Sequence, residues 1–307
     1  MSARPIVALV SLAAAASLAL SGCGSSGGGG NKSSTSAGGG GSTSPSAQAS
    51  TPPGATSSLA AMVPAKIKSK GSLTFAMDAS YPPDESIASD GHTIVGFDAD
   101  LGNALAKELG LKANLENIKF DNIIPGLQDG KYDVGLSSFT DTKAREKVVD
   151  FVTYFQAGEG FYVKAGSGKK FNGLASLCGH TVSVESGTTE ETDATTQSKK
   201  CKVTVLTFPD QNQANLAVSS GRADVGFADS QVVGYIVKQS NGQFEETGKA
   251  FEVAPYGIAL PKNNGMAPVI LAALKALMAD GQYKSILTKW GIQDGAITNP
   301  VINGAIS

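Results

Sequence analysis

The stretch 120–155 reads FDNIIPGLQDGKYDVGLSSFTDTKAREKVVDFVTYF. A helical pattern runs up to Gly130 and a short apolar strand follows at 134–136 (VGL). A polar loop then carries Ser137, Ser138, Thr140 and Arg145. A second stretch, AVSSGRADVGFADS at 217–230, repeats the centre of this arrangement: Gly, a basic residue, any residue, Asp, Val, Gly, then an apolar residue. The copies lie 91 residues apart, from Asp133 to Asp224. Each passes from helix to strand to polar loop, so the repeat predicts two lobes built on similar plans.

Working outward, LTFAM (73–77), TVSV (181–184), VTVL (203–206) and VGF (225–227) also read as strands. Helical patterns lie between them. Leu101, Leu105 and Leu109 recur every four residues ahead of Gly110. Leu271, Leu274 and Met278 form a stripe between Pro268 and Gly281, and Tyr283, Ile286, Leu287 and Trp290 mark a last helix. Alternating strands and helices predict an α/β fold of two lobes, each a mostly parallel sheet flanked by helices. Ligands of open α/β sheets bind beyond the carboxyl ends of the strands. Those ends carry Asp78 and Tyr81, then Ser137, Ser138 and Thr140, then Glu185, Thr188 and Thr189, and lastly Asp229. Two of these sets belong to each lobe, which predicts a cleft between the lobes.

Not all 307 residues are candidates for a core. Residues 1–22 read as a secretory signal: Arg4, an apolar run from Ile6 to Leu20 too short and alanine-rich for a membrane span, then small residues. The run ends in LSGC (20–23), which resembles the lipobox of bacterial lipoproteins and implies a lipid anchor on Cys23. Residues 23–61 are mostly Gly, Ser, Thr, Pro and Ala, too poor in large apolar groups to offset the entropy of ordering. They predict a flexible tether with an r.m.s. span of roughly 30 Å. The first lobe is expected over 62–156, the second over 157–254, and a return to the first lobe with the C-terminal tail over 255–307. The net charge of −2, without a long run of either sign, argues against a nucleic-acid or anionic-membrane partner. With Cys23 lipidated, Cys178 and Cys201 are free to pair outside the cytoplasm. That disulfide is worth about 3 kcal/mol on the chain-entropy model.

The serines of the 134–145 loop suggest a nucleophile, but Ser137 or Ser138 needs a base. The chain's two histidines, His92 in SDGHT and His180 after Cys178, sit in predicted turns away from the strand ends. No His or Cys pair has metal-ligand spacing. GSGKK (166–170) lacks the spacing of a phosphate loop. A binding site fits better. Arg145 offers a planar fork for a carboxylate, with hydroxyl donors from Ser138 and Thr140. Asp229 suits an ammonium, and Tyr81 and Phe120 offer aromatic walls. Together these groups match an α-amino acid zwitterion. Bland readings stand beside them: Arg145 as a surface ion pair, Asp229 as the N-cap of the helix SQVVGYIV, Tyr81 and Phe120 as core.

From about Lys66 to Ile292 the chain resembles the family-3 bacterial extracellular solute-binding proteins, the polar amino acid class of ABC importers. The likeness rests on VGFDADLGNALAKELG (95–110), on the opening stretch 120–155, on VESGTTEET (184–192) and on GFADS (226–230), in the family's order. It implies two lobes closing like a hinged trap, with crossings near Gln156–Gly158 and Val253–Tyr256. It implies that Arg145, Ser138 and Thr140 hold a ligand carboxylate, that Thr189 and Asp229 take the ammonium, and that Tyr81 and Phe120 sandwich the side chain. Asp78 falls where relatives contact polar or cationic side-chain tips. Ser137, Thr188 and Glu190 complete the expected ligand set, with no cofactor, no metal and no catalytic residue. The chain departs from the usual pattern in YPPDE, where Asp84 replaces an aromatic, and in Glu190 after Gly-Thr-Thr. Both are read as negative charge at the cleft rim. Asp78, Asp229 and Glu190 facing one arginine favour Arg, Lys, ornithine, His or Gln over Glu and Asp. The expected protein is thus a monomeric, lipid-anchored amino acid receptor on the outer face of the cell membrane, partnered by ABC permease subunits. The alternative is a cyclohexadienyl (prephenate or arogenate) dehydratase on the same fold.

Overall fold

The structure, a computed structural model, describes residues 57–306. The expected signal segment, Cys23 and most of the tether lie outside them. Among the described residues, no helix is long and apolar enough to cross a membrane. Helical structure starts earlier than Met62: helix α1 spans Ser57–Met62 and α2 spans Ala65–Lys70. Leu59 packs with Val63 and Ile67 on the first lobe's core, burial that the tether's composition hid.

The first lobe continues with β1 (Ser72–Met77), the small strands β2 (Ser80–Tyr81), β3 (Glu85–Ile87) and β4 (Ile94–Val95), α3 (Phe97–Glu108), β5 (Lys112–Asn117), α4 (Phe120–Gln128) and β6 (Val134–Gly135). A long strand, β7 (Val149–Lys164), leads to the second lobe: β8 (Thr181–Glu185), α5 (Thr189–Ser198), β9 (Thr204–Phe208), α6 (Gln211–Ser219), β10 (Val225–Asp229) and α7 (Ser230–Gln239). A second long strand, β11 (Phe244–Pro261), returns to α8 (Met266–Ala279) and α9 (Gln282–Trp290).

The main sheet runs β5-β1-β6-β11-β7-β10-β8-β9. β1 is parallel to β5 and β6, and β8 is parallel to β9 and β10. β7 and β11 pair antiparallel from Val149↔Pro261 to Phe244↔Lys164, with irregular register between Thr247 and Gly257. β6 pairs with the C-terminal half of β11 at Ala259, and β10 pairs with the C-terminal half of β7 at residues 159–162. Each lobe therefore has one strand order: outer parallel strand, first strand, repeat strand, then half of a long antiparallel strand. The chain's last residues return to the first lobe, where the Asn303 N–H donates to Phe151 O at 2.9 Å and the Gly304 N–H to Asp141 Oδ2 at 2.8 Å.

The sequence repeat performs the same task twice. Asp133 Oδ2 accepts from the Thr74 N–H at 2.8 Å, and Asp224 Oδ2 accepts from the Thr181 N–H at 2.9 Å. Each aspartate thus ties its repeat strand to the first strand of its lobe, and each also meets a lysine, Lys70 or Lys169. The repeat's second glycine lies where side chains close over the strand. A Cβ at Gly135 would come 2.9 Å from Ile123 Cγ2, and one at Gly226 would come 2.1 Å from the Tyr162 ring.

Phe97 stacks on Tyr154 in the first lobe's core, with Phe155 and Tyr256 beside them, and Phe161, Phe227 and Phe251 cluster in the second. Cys178 and Cys201 are bonded, S–S 2.04 Å, fastening the far end of α5 to the turn before β8.

Candidate functional site

The carboxyl ends of β1, β6, β8 and β10 converge on one narrow cavity between the lobes. All eleven residues expected at the ligand site line it, joined by Glu85 and Glu185.

Arg145 sits at one end, at the start of a 3₁₀ turn after the polar loop. Its Nη1 donates to Thr140 O at 2.8 Å and its Nη2 to Gly187 O, from the other lobe, at 2.8 Å. The guanidinium lies over the Phe120 and Phe139 rings, 5.5 and 5.4 Å from their centroids. Phe120 itself stacks on Phe139 at 4.4 Å. Burial pulls the Arg145 pKa down to about 10, opposed by the nearby Glu190 and Asp229, so the group stays charged at neutral pH. It is not a surface ion pair.

Asp229 occupies the N-cap position of α7, yet its side chain makes no cap hydrogen bond. Instead it faces the cavity and accepts from the Tyr81 hydroxyl at 2.9 Å. Burial raises its pKa to about 7 against the hydrogen bonds from Tyr256 and Tyr81. Tyr81 is thus a polar partner across the cleft as well as a wall. Thr188 is the residue that caps a helix: its Oγ accepts from the Glu191 N–H at 3.1 Å and donates to Glu185 O at 2.8 Å. That cap holds the Gly187-Thr188-Thr189 turn, so the Thr188 hydroxyl is committed to the backbone. Thr189 Oγ1 lies 3.4 Å from Thr140 Oγ1 and donates to Glu190 Oε2 at 3.2 Å.

Three expectations are corrected. Ser138 does not present its hydroxyl proton to the cavity: its Oγ donates to Asp84 Oδ2 at 2.9 Å, and its N–H to Asp98 Oδ2 at 2.9 Å, from a left-handed backbone (φ 52°). Ser137 likewise donates to Glu85 Oε1 at 2.6 Å and accepts from the Asp78 N–H at 2.9 Å. Asp84 is not a rim charge: it is fully buried behind the cavity, where Gln231 Nε2 also donates to it at 2.7 Å. A carboxylate at this position needs donors once buried, and Ser138 and Gln231 supply them. Glu190, by contrast, faces inward beside Asp229, 2% exposed, and burial followed by the Asp229 charge drives its pKa well above the usual range.

Sequence reasoning assigned no ligand role to Glu85 or Glu185. Glu185 stood at a strand end and had a legible signal. Glu85 had none, because its placement depends on a tertiary partner, the Ser137 hydroxyl. Five carboxyl groups therefore line the cavity: Asp78, Glu85, Glu185, Glu190 and Asp229. Arg145 is the single cation among its described lining residues. Neither histidine takes part. The His92 side chain is 80% exposed, and His180 packs edge-on against Phe171, 3.5 Å from Asp224.

Comparison with known proteins matches residues 73–293 to the family described as bacterial extracellular solute-binding proteins, family 3. This chain belongs to that family. The arginine-binding protein ArgT of Corynebacterium glutamicum is 33% identical over 258 residues, covering 82% of this chain and 84% of that protein. The ABC transporter glutamine-binding protein GlnH of Bacillus subtilis is 34% identical over 209 residues, covering 66% of this chain and 75% of that one. Among solved structures, an ancestral arginine-binding protein bound to arginine superposes with a TM-score of 0.68 at 37% identity, over 72% of this chain and 98% of the other. The two-lobe α/β architecture of this family-3 solute-binding protein is thus shared with amino acid-binding structures.

Proposed function

We propose that this solute-binding protein captures an L-amino acid with a cationic side chain and delivers it to an ABC importer. The carrying observation is the cavity's acidic lining: five carboxyl groups against one guanidinium. Arg145, with Thr140, holds the ligand carboxylate. Asp229, Glu190 and Thr189 accept from the ammonium, Phe120 and Tyr81 flank the stem, and Asp78 receives the side-chain tip. A second ligand carboxylate would meet like charges, each pair costing about 4 kcal/mol at 4 Å and an effective dielectric of 20. Arginine, lysine, ornithine and histidine therefore rank first, glutamine next, and glutamate and aspartate last. The arginine and glutamine binding named for the relatives supports this order.

The lobes comprise residues 62–156 with 255–307, and 157–254. They hinge where β7 and β11 cross, at Gln156–Gly158 and Val253–Tyr256. The chain works as a monomer, held on the outer face of the cell membrane by lipid on Cys23; Cys23→Ala should release it to the medium. The same charge balance disfavours a dehydratase, because prephenate and arogenate each carry two carboxylates.

Calorimetry of ligand-stripped protein against the common amino acids tests the proposal. Arginine or lysine should bind most tightly, and prephenate should yield no aromatic product. Tighter binding of glutamate, or no heat from any amino acid, overturns it.

A further inference from the structure

Asp78 and Glu185 approach each other from opposite lobes. Asp78 follows β1, and Glu185 is the last residue of β8. Both line the cavity and both are 2% exposed. Asp78 Oδ2 accepts from the Phe120 N–H at 3.0 Å, while Asp78 Oδ1 and Glu185 Oε1 are buried without a partner. Two carboxyl groups buried in one narrow cavity, each with an oxygen that no donor reaches, are stabilised by a proton held between them or by a cation that enters.

We propose that Glu185 selects for a charged ligand side chain by sharing a proton with Asp78 across the cleft, a proton the arriving cation displaces into solvent. This rests on the amino acid reading above and adds a residue and a proton to it. The exchange conserves charge: one proton leaves as one guanidinium or ammonium enters. Burial, with the Asp78 charge second, holds Glu185 well above the usual carboxylate range, and burial also raises Asp78 against the Ser80 hydrogen bond and the charge of Lys119. The other groups facing the pair are Lys119, Asp210, Glu190 and the Tyr162 hydroxyl. Lys119 is already paired with Asp210 at 2.8 Å, and Glu190 and Asp210 carry the pair's own sign. A neutral side chain hydrogen-bonds to the protonated pair and displaces nothing. The ligand ammonium, near Asp229, is common to all amino acids, so comparing ligands isolates the far end of the cavity.

The test is titration of stripped protein with arginine and with citrulline, its neutral analogue, in buffers of different ionisation enthalpy. The wild type should release about one proton more with arginine than Glu185→Gln does, and its affinity should tighten by up to about tenfold per pH unit between pH 5 and 7. Glu185→Gln should bind arginine 10–100-fold more weakly, on the order of 1.4–2.7 kcal/mol, with a flatter pH dependence. Its preference for arginine over citrulline should also narrow. Asp78→Asn provides a second variant with the same expected loss of proton release. If both variants keep the wild-type proton count and affinity, the shared proton is wrong while the amino acid reading stands. If the wild type binds no amino acid, both fall.

Discussion

The Tyr81 hydroxyl, from the first lobe, donates to Asp229 Oδ2 at 2.9 Å and accepts from the Asp229 backbone N–H at 3.0 Å, in the second. One oxygen thus closes two hydrogen bonds between lobes at the place where a ligand ammonium is expected. Tyr81→Phe keeps the ring and removes both bonds, leaving a buried N–H without a partner. Hydrogen bonds to charged groups are worth about 1.5–3 kcal/mol. The variant should therefore bind its amino acid at least about tenfold more weakly, read by calorimetry, while keeping the wild-type circular dichroism spectrum. Unchanged affinity would show that the bridge does not contribute to the liganded state.

Arg145 makes a stricter case, because its fork is already divided between Thr140 O and Gly187 O. A lysine keeps the charge but cannot span the two carbonyls and a carboxylate together, nor lie flat over Phe120 and Phe139. Arg145→Lys should lose more than about a hundredfold in affinity, and Arg145→Ala should abolish binding with the fold intact. Wild-type binding by the lysine variant would mean that the carboxylate is held elsewhere.

The buried acids set a pH dependence of stability. Burial raises Asp84, Asp98 and Asp229 from 3.8 to about 7 in the folded protein. An unfolded chain releases these protons near pH 4, while the native protein keeps them until about pH 7. The folded state binds more protons across that window, so the ligand-free protein loses stability as pH rises from about 4 to 7. Asp150, Asp210 and Asp224, whose pKa values are lowered, change their contributions below that window. Stripped protein should unfold at a higher temperature at pH 5 than at pH 7.5. Saturating arginine, which favours ionised carboxyls, should narrow or reverse the difference. The opposite slope in the stripped protein would show the cluster is ionised throughout.

Much of the architecture was legible because strands such as 73–77 and 181–184 are short apolar runs bounded by turns, and because the repeat at Asp133 and Asp224 marks the same junction twice. β7 and β11 were not legible as strands. β7 is buried along almost its whole length, so no polar alternation marks it, and β11 mixes exposed Glu and Lys with a buried half. The site residues were legible as strand ends, whereas the direction of each hydroxyl was not. Ser138 turns to Asp84 only because the buried acids behind the cleft need donors, and that is tertiary information. Asp84 and Glu190 look alike in sequence as added acids. One folds into the wall and the other into the cavity.

The repeat yields a last prediction, on stability alone. Gly226 faces the Tyr162 ring and Gly135 faces the Ile123 methyl, at the same step of the two lobes. A Cβ at 2.1 Å from a fully buried ring, whose hydroxyl is also engaged by Gln211 and Asn215, cannot be relieved by a rotamer change. At 2.9 Å from the Ile123 Cγ2 methyl, with Leu127 and Ala259 at 3.1 and 3.3 Å, the overlap is smaller and the shift that relieves it shorter. Overpacking typically costs about 1–3 kcal/mol. Gly226→Ala should fall at or above the top of that range and Gly135→Ala near the bottom, measured by urea unfolding. Equal costs would mean that the second lobe's helix α6 moves away from β10 freely. In that case the Tyr162 hydrogen bonds to Gln211 and Asn215, the contacts that fix the ring, should be lost as well.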